Sequence, residues 1–237
     1  MIAAIHQPQY LPWLGYFDKI ASADVFILLD NVQFKKNEWQ NRNKIRTAQG
    51  WQWLTVPVIH DFGQRISQVK INDQVKWREA HFKALCLNYR RAPFYDLYIG
   101  QFREIYDRPW DDLGDINIFM VQKIVQWLGI STRILVASQY ETTEHHTQRL
   151  IDLCRAAGAD TYLSGADGKS YMDLDRFQEA GISLQVQDFH HPLYSQVWAG
   201  KNSENFLSHM SVIDLLFNCG PESLKLLRGL TGTLQKI

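Results

Sequence analysis

The stretch IHQPQYLPWLGYFDKIASADVFILLDNVQF, residues 5–34, determines the predicted fold of this chain. Residues 2–6 form a short apolar run that predicts a buried strand, and Pro12 suits the first turn of a helix that continues to about Ser22. Residues 25–30 form a second apolar run without alternation, which is typical of an interior strand of a parallel sheet. Strand, helix and strand in this order predict a βαβ unit, and both of its strands then end at the same edge of the sheet.

The rest of the chain continues with alternating strand and helix patterns. The segment KKNEWQNRNKIR, residues 35–46, has no clear period and predicts a long polar loop. Further strands are predicted at 51–58, 66–71, 132–138, 160–165 and 182–189. Further helices are predicted at 75–90, 94–107, 114–128 (ended by Gly129), 142–159 (capped by Thr142 or Thr143) and 208–220 (capped by Ser208 and ended by Gly220).

These patterns together predict an α/β fold with a Rossmann-like, mostly parallel sheet. The strands at 51–58 and 66–71 are joined by a turn containing Asp61 and Gly63, which indicates an antiparallel insertion. No linker rich in Pro, Gly or Ser interrupts the chain. We therefore expect a single domain over residues 1–237, with an inserted helical and β-hairpin region at about 50–130.

Composition excludes several functional classes. The 25 basic and 25 acidic residues give a net charge of zero, which argues against a protein that coats nucleic acid or anionic membranes. Cys86, Cys154 and Cys219 lack a C-x-x-C spacing, so we expect neither a disulfide framework nor a thiolate metal site. The apolar runs are far shorter than the roughly 20 residues that cross a bilayer. We expect a cytoplasmic protein that acts on a small molecule, without a membrane or nucleic-acid partner; its oligomeric state stays open.

The loop after the first predicted strand is the first candidate binding element. It joins a strand end to a helix N-terminus, where backbone N–H groups and the helix dipole attract phosphate. The side chains expected to line this pocket are His6, Gln7, Gln9 and Tyr10. The same residues also fit a turn without a ligand, shaped by Pro8, Pro12 and Trp13.

The polar segment 35–46 is the second candidate. Its five basic side chains against one acidic side chain leave a local net charge of +4. Because the segment follows the second strand, it could fold over the first loop and bind phosphates or a carboxylate. The residues expected to bind substrate here are Lys35, Lys36, Trp39, Asn41, Arg42 and Asn43. A solvated charged surface is the alternative, and the indoles of Trp39 and Trp51 favour a ligand.

The third candidate is YLSGADGKSYMD, residues 162–173. It is not a Walker loop, because Leu163 occupies the position where that motif requires glycine. Its two glycines still permit a close backbone approach, and the segment follows a predicted strand end. The residues assigned to this loop are Gly165, Asp167, Gly168, Lys169, Ser170 and Tyr171. A plain turn from strand to helix is again the alternative.

The remaining histidines do not indicate a metal site. His145 and His146 are adjacent and point to different faces of a predicted helix, and His190 and His191 lack a third ligand at zinc spacing. The chain also lacks a G-x-S-x-G elbow, so nucleophilic serine hydrolysis is unsupported. We therefore predict no metal.

Several motifs occur in the order found in one known family. They are HQPQYLPWLGYFDKIASADVFILLDNVQF (6–34), NRNKIR (41–46), LTVPV (54–58), GADTYLSGADGKSYMD (158–173) and SVIDLLFNCG (211–220). Together they resemble the WbqC-like protein family over nearly the whole chain. The resemblance implies a bacterial protein whose genes often lie beside those for surface-polysaccharide and O-antigen assembly, with sugars or nucleotide-linked amino sugars as substrates. The family supplies no settled catalytic residues to transfer to this sequence.

The first βαβ unit is also similar in layout to pantothenate-synthetase-like nucleotidylyltransferases, which adenylate a carboxylate and pass the acyl group to an amine. Those enzymes carry an H-x-G-H pair at the helix start. Here Gln9 and Pro12 fall near those positions and the histidine lies earlier, at His6. Adenylyl transfer through the usual residues is therefore not encoded.

The leading hypothesis is an enzyme that transfers an acyl or aminoacyl group to a nucleotide-linked amino sugar. In it His6 and Lys169 stabilise developing phosphate charge, and Asp30 or Asp167 takes the proton from the amine. The cofactor stays open between ATP and an acyl donor. Two alternatives are a non-catalytic protein that binds nucleotide sugars and an RNA-binding protein that stacks bases on Trp39.

Overall fold

Five parallel strands form the central sheet in the computed structural model, which describes residues 1–166, 168, 172–199 and 205–229. In chain order the elements are β1 (Ile2–His6), α1 (Leu14–Ala21), β2 (Val25–Leu28), β3 (Arg42–Thr47), β4 (Gly50–Thr55), β5 (Val58–Ile59), β6 (Lys70–Ile71), α2 (Trp77–Tyr89), α3 (Tyr95–Asp107), α4 (Leu113–Leu128), β7 (Arg133–Val136), α5 (His146–Ala157), β8 (Thr161–Ser164), α6 (Leu174–Glu179), β9 (Ser183–Val186), α7 (Val212–Cys219) and α8 (Ser223–Leu227).

The strand order places β1 in the middle of the sheet. The order is β7-β2-β1-β8-β9, and all four neighbouring pairs are parallel. The chain first adds strands on one side of β1 and then returns to add β8 and β9 on the other side. This is the Rossmann-like arrangement, and the reversal places a topological switch point between β1 and β8. The predicted fold class and the βαβ unit are confirmed.

The sheet is covered on both faces, which explains the continuous apolar runs of its inner strands. Ala4, Phe26 and Leu28 belong to the larger core, together with residues of α1, α4 and α7. Ala3 and Val25 point to the opposite face and pack with residues of α5 and α6. The residues of β2 and of the middle of β1 are therefore buried whichever way they point, so these strands show no half-exposed alternating pattern.

The segment between β2 and β7 contains two hairpins and three helices. β3 pairs with β4, and β5 pairs with β6. The long loop predicted over 35–46 was wrong in its second half, because Arg42 begins β3, whereas residues 35–41 contain no helix or strand. The strand predicted at 66–71 is reduced to Lys70–Ile71, since Ile66–Gln68 forms a 3₁₀ turn.

Two predicted helix caps were also wrong. α5 begins after His145, whose side chain accepts a hydrogen bond from the Gln148 N–H, instead of after Thr142 or Thr143. α7 begins after Ser211, whose hydroxyl accepts from the Ile213 N–H, instead of after Ser208. The predicted end of α4 at Gly129 is confirmed by its left-handed φ of 70°. In the part of the chain that the structure describes, no helix has the length and apolar character needed to cross a membrane.

Candidate functional site

The carboxyl ends of β1 and β8 separate at the topological switch point. β1 pairs with β2 as far as His6↔Leu28 but with β8 only as far as Ala4↔Leu163. We call the space beyond these last pairs the strand-end gap. Open α/β sheets bind their ligands in this position.

His6 lies at the gap and is neutral at physiological pH. Its ring packs edge-on against Tyr16, with centroids 5.1 Å apart, and its Nδ1 lies 3.2 Å from the Gln7 carbonyl oxygen. A carbonyl only accepts hydrogen bonds, so Nδ1 carries the proton and Nε2 keeps its lone pair. Burial, followed by the nearby charge of Lys19, lowers the pKa of His6 to about 4. His6 is therefore neutral at pH 7 with a free lone pair on Nε2, although its low pKa makes it a weaker base than an ordinary histidine, and it supplies no positive charge to a phosphate.

Lys19 is the main residue of the site that the sequence did not reveal. Its side chain is buried, with the residue 4% exposed, and its Nζ donates to the carbonyl oxygen of Ile5 at 3.2 Å. Ile5 is the first residue of β1 beyond the pairing with β8, so the ammonium group lies at the strand-end gap. Burial lowers the pKa of Lys19 to about 8. Among the described residues, no carboxylate lies within ion-pair distance of it.

The turn after β8 forms the other wall of the gap. The Ser164 hydroxyl donates to the Gly165 carbonyl at 2.8 Å, and the Gly168 N–H donates to the same oxygen at 3.0 Å. A Cβ at Gly168 would lie 1.6 Å from Ser164 Oγ, so this turn requires glycine there. The close contact at Gly168 is with the Ser164 side chain, while a Cβ at Gly165 would meet nothing within 4 Å, so the predicted close approach to a ligand stays a prediction. The other four residues assigned to this loop lie outside the described residues: Asp167, Lys169, Ser170 and Tyr171.

The polar segment 35–46 folds against the loop after β1. Gln40 Nε2 donates to Gln7 Oε1 at 2.7 Å, and Gln40 Oε1 accepts from the Lys35 N–H at 2.7 Å. The Tyr10 N–H donates to the Trp39 carbonyl at 3.0 Å. The first two predicted binding elements are therefore in direct contact, while the side chains of Lys35 and Lys36 are exposed.

Gln9 and Tyr10 lie below the surface of this loop. Gln9 is buried, and its Oε1 has no hydrogen-bond partner among the described residues. The Tyr10 hydroxyl lies 2.8 Å from His81 Nδ1 and 2.7 Å from the Tyr106 hydroxyl, in a fully buried network. Tyr10 thus connects the loop to α2 and α3.

Strand alternation separates the remaining predicted binding residues. Asn43 faces the protein, because its Nδ2 donates to the Leu11 carbonyl at 2.7 Å, and Asn41 Nδ2 donates to the Val56 carbonyl at 3.0 Å. Arg42 and Lys44 alternate with these residues along β3 and point to the opposite face. Arg42 therefore points away from the loop after β1, and the predicted residues form two separate surfaces.

Asp30 lies one strand away from the gap. It is buried at the end of β2, and its Oδ1 accepts from the Ser138 N–H at 2.9 Å. Ser138 follows β7, so this carboxylate connects the ends of two neighbouring strands. The geometry gives Asp30 a structural contact in addition to any role as a base.

Residues 187–199, which we call the strap, cross beside the N-terminus of α1. Gln187 Nε2 donates to the Gly15 carbonyl at 2.8 Å and to Asp18 Oδ2 at 2.7 Å. Phe189 packs edge-on against Trp13, with ring centroids 5.3 Å apart. The strap thus covers one side of the helix that carries Lys19.

The strap is anchored by a buried carboxylate on α7. Asp214 is fully buried and accepts hydrogen bonds from the hydroxyls of Tyr89 (2.9 Å) and Tyr194 (2.8 Å) and from Gln196 Nε2 (2.8 Å). Burial raises the pKa of Asp214, and these three donors oppose that shift. One side chain therefore holds α2 and the strap to α7.

Two neutral histidines, the part-buried His6 and the buried His81, predict acid destabilisation. Burial lowers the pKa values of His6 and His81 from 6.5 to about 4, so between these pH values the unfolded chain binds more protons than the folded chain. The free energy of unfolding should therefore fall as the pH drops from 6.5 to about 4, by up to about 1.4 kcal/mol per pH unit for each histidine. Urea unfolding at several pH values measures this slope. His6→Gln and His81→Gln should each make it shallower, and an unchanged slope in both variants would contradict the assignment.

Strand order and site geometry define a Rossmann-like α/β protein with polar and ionisable groups gathered at its switch point. Across the described ranges, no group of three or more His, Cys, Asp or Glu residues could hold a metal ion. The chain belongs to the WbqC-like protein family, whose model matches residues 7–226. It is similar to the uncharacterized protein Rv1507c of Mycobacterium tuberculosis (strain ATCC 25618 / H37Rv), with 39% identity over 229 residues that cover 95% of this chain and 96% of the relative. No solved structure matches the chain.

Proposed function

We propose that this protein transfers an acyl or aminoacyl group to the amino group of a nucleotide-linked amino sugar. Membership of a family associated with polysaccharide biosynthesis supports a sugar substrate. The observation that carries the proposal is that a neutral imidazole, His6, and a buried ammonium group, Lys19, lie close together at the strand-end gap, where Lys19 Nζ donates to the carbonyl of the residue before His6, Ile5. These two groups supply a base and an anion-binding charge at one position.

His6 is the base in this proposal. The amine nitrogen of the sugar attacks the carbonyl carbon of the acyl donor and forms the C–N bond. The bond from that carbon to the leaving group, the sulfur of a thioester or the phosphate oxygen of an acyl adenylate, then breaks. His6 Nε2 takes the proton released by the nitrogen, and the leaving group departs as thiolate or phosphate anion. General-base assistance contributes about 10²–10⁴-fold to the rate and is greatest when the pKa of the base lies near the working pH, so the low pKa of His6 places it at the lower end of that range.

Lys19 is the anion-binding residue. A buried ammonium group without a carboxylate partner is costly in free energy, and a substrate phosphate or carboxylate would offset that cost. With a pKa of about 8, Lys19 is mostly protonated at pH 7. Ligand affinity should therefore decrease as the pH rises through about 8.

The donor is either an acyl thioester or a carboxylic acid activated by ATP. The two differ in the anion released, which is a thiolate in one case and a phosphate in the other. A thermal-shift screen with coenzyme A thioesters, ATP and nucleotide-linked amino sugars separates them, because a ligand that binds only the folded protein raises the unfolding temperature, by more when its concentration exceeds its Kd by a larger factor.

The decisive experiment combines that screen with mass spectrometry of the products. We expect an N-acylated nucleotide sugar from the wild-type protein, with turnover reduced about 100-fold or more in His6→Gln and little loss of ligand-induced stabilisation. His60→Gln provides a matched control, because His60 lies on the loop between β5 and β6, outside the site. Stabilisation by nucleotide sugars without product would instead identify a binding protein. Equal turnover of the wild-type protein and His6→Gln would contradict the role of His6.

A further inference from the structure

Three tryptophans lie together at the outer face of the β3–β4 hairpin, Trp51 and Trp53 on β4 and Trp39 in the segment before β3. Trp53 lies between the other two, with ring centroids 5.8 Å from Trp39 and 5.5 Å from Trp51. Trp39 is 38% exposed and Trp51 is 46% exposed. We call these three residues, with Arg42 and Lys44, the tryptophan face. Exposed indoles in a contiguous group are typical of binding surfaces.

Two cations lie against these rings. The Arg42 guanidinium carbon is 4.3 Å from the centre of the Trp53 ring. Lys44 Nζ is 4.8 Å from the Trp51 ring and 5.3 Å from the Trp53 ring. The attraction between a cation and the face of an aromatic ring holds both charged groups beside the indoles.

The positive charge of this face has no acidic counterpart in the described residues. The ion pairs seen there include neither Arg42 nor Lys44, and Arg42 Nε is buried without a hydrogen-bond partner. Glu38 is the single acidic residue of segment 35–55. The face is therefore complementary to an anionic partner.

We propose that the tryptophan face binds an acidic oligosaccharide, whose sugar rings stack on Trp39 and Trp51 while its carboxylates or phosphates pair with Arg42 and Lys44. Indoles stack on the apolar faces of sugar rings, and both cations are already positioned beside them. Nucleic acid bases would also stack on the indoles, but nucleic-acid affinity depends mainly on positive charge, and the net charge of this chain is zero.

This binding surface is independent of the proposed acyl transfer. Arg42 and Lys44 lie on the face of β3 opposite to Asn43, which contacts the loop after β1. A glycan can therefore bind there whether or not the strand-end gap is catalytic. Binding measured without donor or nucleotide sugar separates failure of this inference from failure of the proposed function.

The test is a calorimetric titration of the full chain with a galacturonic acid hexasaccharide at low and high salt. We expect binding that weakens with salt and exceeds binding of neutral maltohexaose. Trp51→Ala and Lys44→Gln should each weaken the affinity about tenfold, the effect of one lost stacking or charge contact. Phe62→Ala and Lys83→Gln are matched controls, since both residues are exposed elsewhere on the chain, and they should bind like the wild-type protein.

Three outcomes would overturn the inference. They are no binding of the acidic hexasaccharide by folded protein, equal binding of the acidic and neutral hexasaccharides, and unchanged affinity in both Trp51→Ala and Lys44→Gln. Tighter binding of oligothymidylate than of the hexasaccharide, lost in the same variants, would instead assign the face to single-stranded nucleic acid.

Discussion

Replacing Lys19 with Met should make the protein more stable and less able to bind its ligand. The change removes a buried ammonium group that has one hydrogen bond and fills the space with an apolar chain of similar length. We expect the free energy of unfolding to rise by about 1–3 kcal/mol at pH 7, because replacing buried charge with apolar groups is often stabilising. Urea unfolding measures this gain.

The gain in the free energy of unfolding from Lys19→Met should decrease as the pH rises. The pKa of Lys19 falls from 10.5 in the unfolded chain to about 8 in the folded protein. Between these values the unfolded chain binds more protons, so the stability of the wild-type protein rises with pH. The advantage of Lys19→Met should therefore be complete below pH 8 and disappear above about 10.5. The same variant should bind nucleotide-linked sugars about tenfold or more weakly, so these ligands should stabilise it less.

Lys83→Met is the matched control, because Lys83 is an exposed lysine on α2. Its effect on stability should stay within about 0.5 kcal/mol, and ligand binding should not change. A less stable Lys19→Met variant would show that the ammonium group is well satisfied in the folded protein. Unchanged ligand binding in that variant would remove Lys19 from the site.

Replacing Asp214 with Ala should strongly destabilise the folded protein. It deletes the acceptor for Tyr89, Tyr194 and Gln196 and leaves their donors buried. Each unsatisfied buried donor costs about 1–3 kcal/mol, so we expect a loss of about 3–5 kcal/mol in the free energy of unfolding. Urea unfolding measures the loss, and hydrogen exchange should show reduced protection in α7 and the strap.

Asp214→Asn tests whether hydrogen bonding causes this loss. The asparagine amide keeps one acceptor oxygen at nearly the same volume. Asp214→Asn should therefore lower the free energy of unfolding by about half as much as Asp214→Ala does. Asp188→Ala is the surface control, since the Asp188 side chain is 88% exposed, and it should change stability by less than about 0.5 kcal/mol. Equal losses for the Asn and Ala variants would indicate that the carboxylate charge, rather than acceptor geometry, is required.

Elements with strong apolar patterns were predictable, and those built on polar contacts were not. α4 was predicted within one residue at its N-terminal end, because Ile116, Met120 and Ile124 recur at helical spacing on a buried face. β3 was missed because its sequence RNKIRT contains one apolar residue, Ile45. The inner face of β3 is held in part by a hydrogen bond from the Asn43 amide to the Leu11 carbonyl. Such a contact produces no hydrophobic pattern in the sequence.

The candidate site also contains residues that the sequence pattern predicts and residues that it does not. His6 and the loop after β1 follow from the βαβ pattern, because parallel strands end at one edge of the sheet. Lys19 did not stand out, since a single lysine between Asp18 and Ile20 resembles any amphipathic helix position. Its signal is its spacing, four residues after Gly15 and three after Tyr16, both of which are buried.

The sequence by itself determined the parallel sheet, the shared edge at which the strands of the first βαβ unit end, and membership of the family, because periodicity and local motifs are carried by neighbouring residues. The tertiary structure alone decided which polar groups meet. Lys19 reaches the end of β1 because β1 and β8 separate there, and Arg42 points away from the first loop because side chains alternate along β3. Both outcomes depend on strand pairing between distant segments, and a pairing register is set by packing of the whole domain.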